Sequence, residues 1–167
     1  MIKRTVIFLL CALPMFAIAQ DKFGHINTQE VIQAMPEIAG IQRTIAELES
    51  EYENVLMQMQ EEFFTKFREF QERQATMPES IREMRQSELA DLEQRIHAFR
   101  QTAHDGLRRR QMELFAPVIE RVRNAIEAVG TEHGFTYIFD LTTESIVFQS
   151  PTANNVTPLV KARLGIR

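Results

Sequence analysis

The sequence predicts a mainly α-helical protein in which one long antiparallel coiled-coil hairpin projects from a small α/β body. Three observations support this fold class. Between residues 41 and 114, large apolar side chains recur every three or four residues, which is typical of amphipathic helices. This pattern is interrupted once, at Met77-Pro78. The flanking segments, 20–40 and 115–167, instead contain short runs with the composition of β-strands.

The hairpin arm spans residues 41–114. Its first half carries an apolar stripe from Ile41 to Met77, and its second half carries a looser stripe from Ile81 to Leu114. Neither half contains an internal proline, so each can form one continuous helix. A helix of about 37 residues is on the order of 55 Å long. The core of a small globular domain needs no helix of that length, and an antiparallel partner helix is the simplest way to cover its stripe.

The reversal of the chain is predicted at Met77-Pro78. The residue before a proline is disfavoured in a helix, and a proline is tolerated in the first turn of the next helix. Thr76 and Glu79 have the spacing of a capping box for that second helix. The alternative, a single helix kinked at Pro78, would leave both apolar stripes exposed to water.

The segment before the arm predicts a strand followed by a short helix. The strand covers Phe23 to Asn27, and Thr28 is the expected cap of a helix that Pro36 ends. After the arm, Pro117 predicts a kink or the start of a new helix. That helical face runs on to Val129, and either of the two glycines that follow, Gly130 or Gly134, is expected to close it.

The C-terminal segment predicts two strands and a final helix. Tyr137-Ile138-Phe139 and Ile146-Val147-Phe148 are aromatic and β-branched, and the polar turn between them predicts a β-hairpin. Thr157-Pro158 then predicts the start of a last helix, which ends near Gly165. The segments 20–40 and 115–167 together are therefore expected to form the body.

Residues 1–19 predict a cleaved signal peptide. Lys3 and Arg4 precede an apolar run, and Ala17-Ile18-Ala19 has the small-x-small pattern of a cleavage site. The single cysteine, Cys11, would be removed with this segment. The exported chain would then contain no disulfide, no thiolate nucleophile and no thiolate metal ligand.

The charge balance argues against two kinds of electrostatic binding. Removal of Lys3 and Arg4 leaves 17 basic residues against 23 acidic ones, a net charge of about −6. This argues against nucleic acid as a partner and against nonspecific attraction to anionic membranes. The body is also small for an independent hydrophobic core once the arm is set aside, so we expect the protein to form an oligomer.

No pattern of catalytic or metal-binding residues is present. The sequence has no Gly-x-Ser-x-Gly motif and no phosphate-binding glycine loop. His97 and His104 lie two helical turns apart, about 10 Å, which is too far for one metal ion to bind both. Asp140 follows a predicted strand without an evident basic partner, so it predicts a turn. We therefore expect no enzymatic activity, no metal site and no cofactor.

The arm carries more apolar surface than a two-helix seam can bury. Phe64 lies beside Phe63, and Leu56 lies beside Val55, so both fall at the edge of the stripe. A widened stripe of aromatic and flexible side chains suits the binding of varied apolar segments, and packing within the arm is the alternative. The candidate binding residues are Leu56, Met59, Phe63, Phe64, Phe67 and Phe70.

The two ends of the chain resemble the Skp/OmpH family of periplasmic chaperones. The resemblance rests on residues 23–32, on Tyr137-Ile138-Phe139-Asp140, on Ile146-Val147-Phe148 and on the segment from Val156 to Val160. Members of this family are trimers whose bodies form a joint β-structure. Their three arms enclose a cavity that holds unfolded outer-membrane proteins without ATP.

The resemblance implies a tentacled homotrimer in the periplasm that binds unfolded outer-membrane proteins. The residues expected to hold the trimer together are Tyr137, Ile138, Phe139, Ile146, Val147 and Phe148. The best-known members are basic and this chain is acidic, so binding to lipopolysaccharide or a membrane surface stays open. The cluster Arg108-Arg109-Arg110 is either a remnant of such a site or a solvated helical face.

Two other functions are compatible with the pattern of helices. The chain could be a structural or adaptor coiled coil of the cell envelope, which spaces components or docks a partner helix. A Spy-like chaperone is a weaker alternative, because the sequence lacks a Leu-Thr-x-x-Gln motif and the strands would have no explanation.

Overall fold

The computed structural model describes residues 21–143 and 145–166, so the predicted signal peptide, residues 1–19, lies outside the described residues. The chain forms a small α/β body and a long helical arm, which confirms the predicted mainly α fold with a small β body. The residue boundaries between arm and body stay a prediction. In chain order the elements are β1 (Phe23–Ile26), α1 (Thr28–Gln33), α2 (Glu37–Arg73), α3 (Glu79–Glu132), β2 (Tyr137–Asp140), β3 (Asn154–Asn155) and α4 (Thr157–Arg163).

The sheet of the body has the strand order β2-β1-β3, and both outer strands run parallel to β1. Phe23 lies opposite Tyr137, and His25 lies opposite Asn155. Successive side chains of a strand point to opposite faces. Gly24 and Ile26 are buried against the helices of the body, whereas Phe23 is exposed on the other face.

The predicted β-hairpin between residues 137–139 and 146–148 is wrong. β2 forms as expected but pairs with β1, and Ile146-Val147-Phe148 is not part of a strand. The place on the other side of β1 is taken by Asn154 and Asn155, and the Asn154 side-chain amide donates a hydrogen bond to the Phe23 carbonyl, 2.8 Å away. Strand propensity did not decide this pairing. Because α4 begins directly after β3 and is anchored in the core, it holds β3 beside β1.

The core of the body joins every helix to the central strand. The lower part of α3 supplies most of its apolar face, α1 and α2 close one side, and α4 closes another. The buried members are Ile26, Val31, Met35, Ile38, Ile41, Val118, Val122, Ala125, Val129, Val156 and Val160. Segments from both ends of the chain therefore share one core.

No new helix starts at Pro117, because α3 continues through it as one helix from Glu79 to Glu132. A proline inside a helix costs about 3 kcal/mol. The face that follows it is buried, with Val118 and Val122 each 3% exposed, and this burial is sufficient to offset the cost. Gly134 rather than Gly130 closes the helix: its φ is +66°, and the Phe135 amide donates to the Gly130 carbonyl over 2.9 Å.

Two of the predicted caps differ from those observed. Asn27 and not Thr28 caps α1, since its Oδ1 accepts a hydrogen bond from the Glu30 amide at 2.9 Å. The predicted capping box of Thr76 and Glu79 does not form. Instead, the Thr76 hydroxyl donates to the Arg73 carbonyl at 3.1 Å and so closes α2.

Asp140 joins the end of β2 to the start of α1. Its carboxylate accepts hydrogen bonds from the hydroxyls of Thr28, at 2.6 Å, and Thr142, at 2.8 Å, and also from the amides of both residues. Partial burial acts to raise the pKa of Asp140, but these four hydrogen bonds outweigh it and hold the pKa below its ordinary value. The expected turn at this aspartate is present, and it also ties together segments more than 100 residues apart.

Replacing Asp140 with Asn should destabilise the body by about 1–3 kcal/mol at pH 7, because a charged acceptor of several hydrogen bonds is lost. A lowered folded-state pKa gives stability that is complete above the ordinary aspartate pKa of about 4 and is lost as the pH falls through the folded value. The difference in free energy of unfolding between the wild type and Asp140→Asn should therefore shrink below about pH 4. Urea unfolding at several pH values measures it, and a difference independent of pH would contradict this role.

Candidate functional site

The arm is formed by α2 and the tip-side part of α3, which pack antiparallel. Three contacts along its length show the direction: Glu37 pairs with Arg121 near the body, Tyr52 packs against Phe99 midway, and Lys66 pairs with Glu88 near the tip. With 37 residues, α2 is about 55 Å long, and α3, with 54 residues, is about 80 Å long. The extra length of α3 belongs to the body.

The seam between the two helices is narrow. On α3 it buries Leu92, Ile96, Ala103 and Gly106. On α2, only Ile38 and Ile41, at the body end, are buried. Further along, its apolar side chains reach partial burial at most, as expected when one helix covers one other helix. The arm therefore holds itself together while leaving much of its apolar surface in contact with water.

The predicted binding residues divide into two groups. Phe64 is 61% exposed and Phe67 is 38% exposed. The remaining four are half-buried along the seam: Leu56, Met59, Phe63 and Phe70. Leu56 was expected at the edge of the stripe, but Val55, at 41% exposed, is the more exposed of the two. The helix is rotated slightly from the phase that the sequence indicated.

Phe63 organises the exposed aromatic rings of the arm. Its ring stacks on Phe67, with centroids 5.9 Å apart and planes within 9°. It meets Phe64 nearly edge to face, at 5.8 Å and 74°. Both arrangements are favourable for aromatic pairs. The half-buried Phe63 thus holds two more exposed rings in fixed positions on one side of the arm.

Sequence reasoning missed further apolar surface on the arm and at its base. Met57 and Met84 are both exposed. At the base, Met112 and Ile119 are exposed along one face of α3. They line an open groove of about 580 Å³ together with Phe115 and Ala116. The groove residues at the base are spaced three and four positions apart, which the sequence shows as helical periodicity. The sequence does not show that their side chains are exposed.

Ion pairs reinforce the tip half of the arm. Lys66 on α2 bonds to Glu88 on α3, and Arg85 reaches the other oxygen of Glu88 at 2.6 Å. The hydrogen bond from Lys66, with that from Arg85, lowers the pKa of Glu88, and the same bond raises the pKa of Lys66. These side chains are still partly open to solvent, so they orient the two helices more than they stabilise them.

A second exposed apolar surface lies on the body. Phe23, Tyr137 and Phe139 point away from the helices and stack side by side, with ring centroids 6.0 to 6.2 Å apart. Beyond the sheet, Val147 is 99% exposed and Phe148 is 82% exposed, while Ile146 is half-buried. Ile138 points the opposite way and packs against the core of the body. Of the residues predicted to hold an oligomer, four thus point outward, and Phe23 was missed.

Other kinds of site find no support in the described ranges 21–143 and 145–166. Within them, no three His, Cys, Asp or Glu residues are grouped closely enough to hold a metal ion. No helix within the same ranges is apolar over a length that would cross a bilayer.

One close contact fixes the middle of the arm. Gly106 of α3 faces Tyr52 of α2, and a Cβ atom at position 106 would lie only 2.6 Å from the Tyr52 hydroxyl oxygen. The Tyr52 ring also meets Phe99 edge to face at 6.0 Å. The missing side chain of Gly106 therefore makes room for Tyr52 against the backbone of α3.

The sequence as a whole matches one protein family. Residues 22–164 match the model of the family described as "Outer membrane protein (OmpH-like)". The chain belongs to this family. The resemblance inferred from the two ends of the chain is thereby confirmed, and the long arm of this OmpH-like protein is part of the matched region.

Several proteins similar to this chain are named as chaperones. The chain is 26% identical over 145 residues to the chaperone protein Skp of Photorhabdus laumondii, covering 85% of this chain and 84% of the relative. It is 26% identical over 158 residues to Skp of Vibrio cholerae, covering 86% and 84%. A crystal structure of a putative outer membrane chaperone (OmpH-like) from Caulobacter crescentus has the same fold, with a TM-score of 0.69, 11% identity and coverage of 87% and 85%.

Replacement of Gly106 by Ala should destabilise the arm, although Ala is normally favoured over Gly in a helix by about 1 kcal/mol. The added Cβ would displace the Tyr52 hydroxyl. In a Tyr52→Phe background that hydroxyl is absent, and the same replacement should be less unfavourable by roughly 0.5–1.5 kcal/mol. Urea unfolding of the four proteins in this cycle measures the coupling.

Gly40→Ala is the matched control for this cycle. Gly40 lies in α2, and a Cβ atom there would meet no atom within 4 Å. This variant should gain stability by up to about 1 kcal/mol, whatever residue is at position 52. Additive effects of Gly106→Ala and Tyr52→Phe would show that the contact does not constrain the arm.

Proposed function

We propose that this protein is an ATP-independent periplasmic holdase chaperone that binds unfolded outer-membrane proteins. Membership of the OmpH-like family and the chaperone relatives support this class of function, and none of those relatives is named as an enzyme. The observation that carries the proposal is the cluster of exposed phenylalanines on the arm. No other segment of the described chain covers the side of the arm on which they lie. Phe64, at 61% exposed, is its most accessible member.

Apolar contact is the main source of affinity in this proposal. Burial of one aromatic side chain against a client contributes about 1.5–3 kcal/mol before ordering costs. One such contact is weak, but several arms acting on the same client raise the overall affinity through effective concentration. The acidic net charge gives little general attraction to acidic clients. Leu56, Met59, Phe63, Phe64, Phe67 and Phe70 remain the proposed client-binding residues, with Phe64 and Phe67 the most accessible.

The proposal includes a homotrimer assembled through the body. An exposed triangle of three aromatic rings, next to Val147 and Phe148, is the kind of surface that a soluble protein covers with another subunit. The number of subunits follows from the family resemblance. In such an assembly Tyr137, Phe139 and residues 146–148 face the neighbouring body, and three arms border a common cavity. Ile138, within the core, supports β2 from behind.

Location and further partners follow from the same reasoning. Export to the periplasm rests on the predicted signal peptide and on the chaperone relatives. In the basic cluster at residues 108–110, Arg108 bonds to Asp105 and Arg110 bonds to Glu113, both as exposed pairs on the same helix. Lipopolysaccharide or a membrane surface stays open as a further partner, and neither nucleic acid, given the acidic net charge, nor a cofactor is part of the proposal.

Replacing Phe64 and Phe67 with Ser should weaken client binding while leaving the arm folded, since neither side chain is buried. Loss of about 1 kcal/mol of contact corresponds to roughly a fivefold weaker affinity. We therefore expect roughly three to ten times more protein to be needed to suppress aggregation of an unfolded outer-membrane protein. Light scattering during dilution of the client from urea measures this, and circular dichroism checks the helix content.

Met112→Ser is the matched control for these variants, because Met112 is as exposed as Phe64, at 61%, but lies at the base of the arm. It should leave holding unchanged. Raising the salt concentration from about 50 to 500 mM should also weaken holding only slightly, since salt screens charges and not apolar contacts. Normal holding by the double variant, or holding abolished by salt, would favour capture by charge. No holding by the wild type would favour the adaptor coiled coil.

Replacing Val147 and Phe148 with Asp should dissociate the oligomer without unfolding the monomer, because both side chains are almost fully exposed within one chain. Two buried charges in each interface would cost several kcal/mol. Sedimentation velocity should then show a monomer for this variant and a trimer for the wild type. Phe64→Asp on the arm is the control and should leave the trimer intact. A trimer that tolerates both aspartates would place the interface elsewhere.

A further inference from the structure

A small groove crosses the arm between α2 and α3. Its volume is about 160 Å³, and its lining includes Phe63 and Phe64 from α2 and Ile96 from α3. Ile96 is buried in the seam, so it closes the floor of the groove. Because both helices contribute walls, the groove exists only when the arm is assembled.

The size of the groove matches one aromatic ring. An apolar cavity of about 150 Å³ lined by aliphatic and aromatic side chains binds benzene. Phe63 and Phe64 meet at 74°, so one presents a ring face where the other presents an edge. A third ring entering the groove can stack on one of them and meet the other edge-on, which is the arrangement that aromatic groups prefer.

Three charged or titratable side chains border this apolar floor. Glu93, His97 and Arg100 are exposed and belong to the lining of the groove. Across the described residues 21–143 and 145–166, none of the three forms an ion pair. The groove thus has an acidic end and a basic end, both available to a ligand.

The spacing of these charges fits a short extended peptide. Glu93 and Arg100 are seven residues apart on α3, about 10 Å along the helix axis. In an extended chain, the side chains two residues before and after a given residue point to the same side as that residue. They are about 13 Å apart, which long side chains can adjust to a 10 Å separation. One ring and its two flanking charges can therefore contact the groove together.

We propose that this groove is a one-ring site of the arm, which binds a client segment whose aromatic residue is flanked by a basic and an acidic side chain. The proposal rests on the holdase function and adds a preference to it. The basic side chain of the client pairs with Glu93, and the acidic one pairs with Arg100. The order of the two charges in the client therefore sets the direction in which the segment lies along the arm.

The absence of tryptophan from the chain allows a direct test with the full-length protein. The probe is a Gly-Ser peptide containing Lys-Ser-Trp-Ser-Asp, and its fluorescence should shift to shorter wavelength on binding. Unlabelled peptides with Phe or Leu in place of Trp then compete with the probe. The Phe peptide should compete roughly three to ten times better than the Leu peptide, because edge and face contacts add to simple burial.

Two variants with matched controls assign the binding to the groove. Phe64→Ala should weaken probe binding, whereas Met112→Ala should not. Arg100→Gln should weaken the Asp-containing probe roughly twofold to fivefold, as expected for an exposed ion pair. The same variant should leave unchanged a probe with Ser in place of Asp. Arg82→Gln, near the tip, is the control for loss of an arginine.

Three results would overturn the proposal. Equal competition by Phe and Leu peptides would show a general apolar surface and not a ring site. Equal effects of Arg100→Gln on both probes would show that Arg100 does not pair with the acidic side chain of the client. Self-association of the wild type that Phe64→Ala abolishes would show that a second copy fills the groove. The holdase function is judged separately, by aggregation assays with the wild type, so either conclusion can fail without the other.

Discussion

The fold depends on the pairing of β1 with two strands from the far end of the chain. β1 lies in the centre of the sheet, and its parallel neighbours begin at Tyr137 and Asn154. Parallel strands need a crossover connection, and the crossover from β1 to β2 is here the entire arm. The chain must therefore leave the body along α2 and return along α3 to the point where α2 began. The tip is free to project because only the two ends of the connection are constrained, by the shared core and by the Asp140 hydrogen bonds.

Much of this architecture could be predicted from local patterns, because the long helices, their reversal at Pro78 and the first two strands all have strong local signals. The pairing of strands could not. Ile146-Val147-Phe148 has higher strand propensity than Asn154-Asn155, yet only the asparagines pair with β1. What favours them is their place just before the buried Val156 and Val160 and the amide bond from Asn154 to Phe23. These contacts join segments that are far apart in the sequence, so local sequence patterns do not predict them.

Tertiary packing also overrode two local signals in the helices. Pro117 should interrupt α3, but the same helix must deliver an apolar face to the body directly after it, and burial of that face outweighs the local cost. On the arm, the sequence predicted the region of exposed apolar side chains but not the exposure of single residues. Val55 and Leu56 differ by one position, about 100° around the helix, and a small rotation of α2 exchanges their exposure.

The limited width of the seam connects the stability of the arm with its proposed activity. Two helices cannot enclose a ring as large as Phe64, so the arm exposes aromatic surface that a three-helix bundle would bury. Phe63 is shared between the two roles, because it packs into the seam and also positions Phe64 and Phe67. Ion pairs such as Lys66 with Glu88 orient the helices without consuming apolar surface. An arm built in this way stays assembled with little apolar packing, and the aromatic groups it leaves exposed remain available to an unfolded chain.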